Sequence, residues 1–183
     1  ASRGVAPQST SAPAPGGAGG GKVRLGVGGA LRVDGSITAS GADGMNNRSG
    51  GGSGGSIWLT VGTLAGSGAI SANGGAGEPA QGGGGGGGRI SIQYTSLGFS
   101  GAMQAYGGNG YARGGAGTIY TRADRQAVGQ VLVHNGGIFG ANTLLVATEA
   151  FDLIVQGEGA VSLLSAQTIG NLLVDSNARI SLL

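Results

Sequence analysis

Eight acids, ten bases and one histidine are the strongest acid-base groups in this chain, so any catalysis must come from how a few of them are spaced. Cleaving a polysaccharide needs two carboxylates, or a carboxylate with Arg or Lys, close enough to move a proton at one sugar. Three residues before a recurring apolar position the chain reads Asp34, Ser67, Ser100, Asn135, Glu158 and Asn177. Its two acids fall four rungs apart, about 19 Å at strand spacing, and form no catalytic pair. A ladder of polar turns bonding the local backbone is the expected reading. His134 has no Ser/Asp or Cys partner at a suggestive spacing. Gly82–Gly88 ends in Arg89 without the GK[ST] of a phosphate loop or a helix to follow. GGNGYARGGAG at 107–117 lacks the acids of a calcium-binding roll, and there is no cysteine. One residue after the apolar position stand Thr38, Ser71, Gln104, Phe139, Ser162 and Ser181, too mixed for an ice-binding threonine array. No catalytic, cofactor-binding or metal residue is expected, and the chain is not expected to be an enzyme.

Binding is the remaining chemistry. Trp58, Tyr94, Tyr106, Tyr111 and Tyr120 could stack on sugars, with Trp58 and Tyr120 at matching strand positions two rungs apart. Trp58, Tyr111 and Tyr120 are the candidate glycan contacts, although packing on a glycine surface would use the same rings. Asn47-Arg48-Ser49 makes Asn47 a candidate N-glycosylation site. Nine arginines and one lysine are scattered, leaving a net charge of +2. A nucleic-acid partner is not expected.

These residues are positioned by a repeat. Ile37, Ile70, Met103, Ile138, Val161 and Ile180 are each preceded, six residues earlier, by Leu31, Leu64, Leu97, Leu132, Val155 and Val174. Such self-similarity marks units that bury an apolar face only by stacking on their neighbours. GGKVRL (20–25), GGSIWL (54–59), GGRISI (87–92) and AGTIYT (116–121) each open with glycine and enter an alternating strand. The central apolar residues lie 33, 33, 35, 23 and 19 apart. The short intervals match one coil of a parallel β-helix, and the long ones add about a dozen residues, mostly glycine. The inserts at 16–21, 50–55, 82–88 and 107–117 fall at one phase. Stacked at strand spacing or as threefold extended helices, they are expected to form a packed glycine layer on one side.

The predicted fold is all-β: a parallel β-helix, or β-solenoid, of about six rungs. Residues 1–15 form an extended Ala/Pro/Ser-rich arm and 16–183 one domain, with glycine-insert rungs over 16–121 and shorter rungs over 122–183. No segment reaches the ~18 apolar residues of a membrane span. A start at Ala1 suits a processed, secreted protein.

GGSGGSIWL (51–59), GSGAISANGGAG (66–77) and GGGGRISI (85–92) resemble the glycine-rich repeats of large secreted or cell-surface proteins of bacteria and some protists. That resemblance covers about residues 16–121 and implies a β-solenoid. The polyglycine runs are also similar in composition to the glycine-helix layers of some phage tail-tip adhesins. Neither resemblance implies catalytic residues. The expected function is a structural, non-catalytic subunit of an extracellular filament or cell-surface layer. It would assemble head to tail, the N-terminal arm of one copy covering the uncapped last rung (Arg179 to Leu183) of another. The alternative is a glycan-binding surface adhesin.

Overall fold

The computed structural model describes residues 14–45 and 48–182, so most of the arm, Asn47 and Leu183 lie outside the described residues. Within them all regular structure is strand, and the pairing is mostly parallel. The first part repeats one pattern three times, a long strand followed by a short one. These are β1 (Lys22–Arg32) and β2 (Ser36–Thr38), β3 (Ser56–Gly66) and β4 (Ala69–Ser71), β5 (Arg89–Phe99) and β6 (Ala102–Gln104). β7 (Thr118–Ala123) opens a fourth copy. The rest is β8 (Gly129–His134), β9 (Thr143–Leu145), β10 (Phe151–Gln156), β11 (Ala160–Leu163), β12 (Ile169–Val174) and β13 (Arg179–Leu182).

Alternation of apolar and polar residues fixes the faces. Val23, Ile57, Ile90 and Ile119 are register partners in one row, with Leu25, Leu59 and Ile92 two residues on. Ile57, Leu59, Ile90, Ile92 and Ile119 are buried. Across from them lie Ile37, Ile70 and Met103, partners in the small sheet β2-β4-β6. Apart from Leu25, which is 39% exposed, these side chains pack in one core. Leu64, paired with Leu31 and Leu97, is fully buried, whereas Leu97 is 45% exposed. β7 pairs with β5 only as far as Tyr94, so nothing extends over Leu97.

The predicted ladder does not run unbroken. β7 and β8 pair antiparallel, with Ile119 opposite Leu132 and Tyr120 opposite Val131, and β8, β10 and β12 therefore run against β1, β3, β5 and β7. The reversal also exchanges faces. Leu132 packs on the first core beside Ile119, while its strand neighbours Val131 and Val133 enter a second core with Phe151, Leu153, Val155 and Val161. One continuous sheet thus buries opposite faces in its two halves. Two predicted slots move in consequence. Val155 pairs with Val133 and not Leu132, and Val161 pairs with Thr143 and not Ile138.

In the C-terminal half the turns have a common form. Asn135-Gly136-Gly137-Ile138, Gln156-Gly157-Glu158-Gly159 and Asp175-Ser176-Asn177-Ala178 each close with an amide of the fourth residue donating to the carbonyl of the first. Both central residues of each have positive φ, between 54° and 77°. That is the type I′ turn, whose twist matches that of strands. Ile138 is the last residue of such a turn, which is why it is no rung-mate of Val161.

Candidate functional site

Between β2 and β3, and again between β4 and β5, the chain crosses the molecule twice without forming a β-ladder. The strand at 50–55 shows how it is held. The amides of Gly51 and Gly54 donate to the carbonyls of Gly83 and Gly86 in the next copy, at 2.9 and 2.8 Å. Those of Gly52 and Gly55 donate to Ala42 and Ala39, at 2.8 and 2.7 Å. The carbonyls of Gly50 and Ser53 accept from Gly17 and Gly20 in the preceding copy, at 2.8 and 2.7 Å. Every direction recurs at three residues, the period of a polyproline-II-like chain. Gly84 and Gly87 repeat the pattern toward Ala112 and Gly115, and Gly85 and Gly88 repeat it toward Gly75 and Ala72.

The layer is two columns deep. Segments near 16–21, 50–55, 82–88 and 112–117 stack in one column. Segments near 39–44, 72–77 and 105–109 stack in the other through bonds such as Gly41 to Asn73 and Gly74 to Tyr106. Between columns the paired residue numbers fall as their partners rise (Gly52 with Ala42, Gly55 with Ala39), so the columns run antiparallel. The expected insert at 107–117 is therefore split between them. Glycine is demanded by closeness: a Cβ on Gly84 or Gly85 would lie 1.9 or 2.0 Å from a backbone oxygen of a neighbouring strand, while one on Gly86 would meet nothing within 4 Å. Two directions of the threefold chain are filled by backbone, and the third faces outward.

The first copy differs in a telling way. A Cβ on Gly52 would strike the Ala18 carbonyl and one on Gly75 the Ala42 carbonyl, each at 2.0 Å. In the first copy these two register positions carry real methyl groups, on exposed Ala18 and Ala42. No further glycine strand fits on that side.

The candidate glycan residues are not brought together. Trp58 stands on the outward face of β3, 43% exposed, with the Arg24 guanidinium carbon 5.0 Å from its ring centroid. Tyr120 is half-buried, packs on the second core and leans over Gly129, where a Cβ would touch its ring. Tyr111 is 75% exposed at the turn between the glycine columns, its amide bonded to Gly82. A shallow depression there is shared with Arg113 and Phe139, and Arg179 lies 3.7 Å over the Phe139 ring.

Several ionisable groups serve the frame. Arg32 donates to Asp34, and Asp34 also accepts the Ser67 amide; both bonds hold its carboxyl below the usual carboxylate range. Asn177 donates to Glu158 at 3.1 Å, so these two polar-ladder residues do meet. His134 packs edge-on to Tyr106, ring centroids 5.2 Å apart, and against Gly157; burial lowers its pKa and raises that of Tyr106. Asn135, 2% exposed, accepts from Gly107 at 2.8 Å and donates to the Ile138 carbonyl at 2.7 Å, tying the glycine layer to the C-terminal turns. A polar turn bonding its local backbone is what the sequence leads one to expect here, and the bond to Ile138 is of that kind; the bond to Gly107 has no signal in the sequence. Among the described residues no three of His, Asp, Glu and Cys cluster as a metal site, and no helix is long and apolar enough to cross a membrane. Compared with protein-family models, curated proteins and solved structures, the chain matches none.

Proposed function

We infer that this chain is a non-catalytic structural module of a secreted or cell-surface β-solenoid, and that it joins other copies end to end. One observation carries the joining. Leu172 and Val174 are register partners of Leu153 and Val155 on the same face, yet they are 55% and 43% exposed where their partners are fully buried. β12 ends the large sheet, so this apolar face has no strand over it among the described residues. Edges of this kind pair with a further strand. A junction then sets the C-terminal edge of one copy against β1, the opposite edge, of the next. The methyls of Ala18 and Ala42 keep the glycine layer out of that junction, which runs through β1. Assembly follows from light scattering and electron microscopy over a concentration series. Growth into end-to-end polymers is expected, and Leu172→Arg abolishes it. A monomer at every concentration, or polymers insensitive to Leu172→Arg, would overturn the reading.

A further inference from the structure

The N-terminal half of the sheet has an outward face as well as a buried one. Its first three rows, read across β1, β3, β5 and β7, are Lys22, Ser56, Arg89, Thr118; Arg24, Trp58, Ser91, Tyr120; and Gly26, Thr60, Gln93, Arg122. Four of the twelve positions are cationic, five carry a neutral hydroxyl or amide besides the two aromatics, and none is acidic or aliphatic. Two acids lie at its β7 margin: Asp124, which accepts a hydrogen bond from the Thr95 hydroxyl, and Glu149, which lines a depression with Tyr120. The sole salt bridge among the described residues, Arg32 with Asp34, lies elsewhere. Lys22, Arg89 and Arg122 have no ion-pair partner among the described residues, and Arg24 rests on Trp58.

We propose that this face binds an anionic polysaccharide. Strand spacing and rise make the patch about 14 Å across the strands and about 13 Å along them, enough for a few sugar rings. Arg24 covers one side of the Trp58 indole, while on the other side the neighbouring strand offers only the small Ser91. An apolar sugar face can lie against the indole over Ser91, and Arg89, two residues from Ser91 on the same strand, can take a carboxylate or sulfate on that sugar. The hydroxyls and amide between the cations suit a ligand rich in hydroxyls with charge at intervals. A nucleic acid presents few free hydroxyls to the neutral hydroxyl and amide side chains between the cations, whereas every ring of an acidic polysaccharide presents several. The site lies on the face of the sheet, whereas the end-to-end junction uses its two edges, β12 and β1.

Trp58 is the single tryptophan of the chain, so its fluorescence reports on the site directly. Titration with polygalacturonate or dextran sulfate is expected to give a saturable change in emission, and neutral dextran none. Raising salt from about 0.1 M to about 1 M, over which the screening length falls from about 10 Å to about 3 Å, should weaken binding at least about tenfold. Arg24→Glu with Arg89→Glu should weaken it as much while leaving the melting temperature in place, since both side chains lie outside the core. Equal binding of dextran, unchanged affinity in the double variant, or tighter binding of a single-stranded oligonucleotide than of polygalacturonate at equal salt would each overturn the proposal.

Discussion

The two halves of the large sheet solve the same problem with different materials. Up to β7 the chain returns from one long strand to the next through glycine backbones that bond to one another in a threefold lattice. From β8 onward it returns through type I′ turns and side-chain ladders such as Asn142 to Ser162 and Ser162 with Ser181. In the first half, specificity lies in the absence of side chains. In the second it lies in their presence, and the two kinds of substitution should therefore hurt in opposite places.

The largest effect is expected from a methyl group inside the glycine lattice. Gly52→Ala sets a Cβ 2.0 Å from the Ala18 carbonyl and 2.5 Å from its carbon, all backbone, and should cost about 3 kcal/mol in chemical denaturation. The C-terminal counterpart removes atoms. Leu153→Ala, at a fully buried position of the second core, should cost about 2 to 3 kcal/mol by the same measurement. Asn135 joins the halves, so Asn135→Ala leaves the Gly107 amide and the Ile138 carbonyl without its side chain. A loss of about 1 to 2 kcal/mol is expected, with faster hydrogen exchange at Gly107.

The smallest effect is a pH dependence. Burial lowers the pKa of His134 in the folded protein, so the unfolded chain binds the proton more readily. The neutral ring's stabilisation is full above the ordinary histidine pKa of about 6.5 and is lost as pH falls through that value toward the lowered one. Melting temperatures from pH 8 to pH 5, as ~1-unit steps, should show this fall in the parent and lose part of it in His134→Phe. An identical fall in both would assign the dependence to other groups.

Strand alternation made β1 to β6 readable, because each copy spells its apolar row in the same register. Glycine runs showed the first column of the layer. The second was legible only in a thinner signal, glycines three apart at Gly41 and Gly44, Gly74 and Gly77, Gly107 and Gly110, with side-chain residues between them. The reversal at β7 and β8 could not be read at all. Val131-Leu132-Val133 is apolar on both faces, and a period of two cannot say which face is buried when consecutive residues qualify. Trp58 is exposed, but its cationic neighbours come from strands 34 positions before it and 33 after it in register, and only that register puts them on one face.

Two adjacent glycines test the central claim most directly. In the run Gly82–Gly88 a Cβ on Gly85 would meet the Gly52 carbonyl oxygen at 2.0 Å, and a Cβ on Gly86 would meet nothing within 4 Å. Gly85→Ala should therefore destabilise by about 3 kcal/mol. Gly86→Ala should be neutral or gain up to about 1 kcal/mol from a less flexible unfolded chain. Equal tolerance of alanine at the two positions would contradict a threefold glycine lattice and leave the run a surface loop.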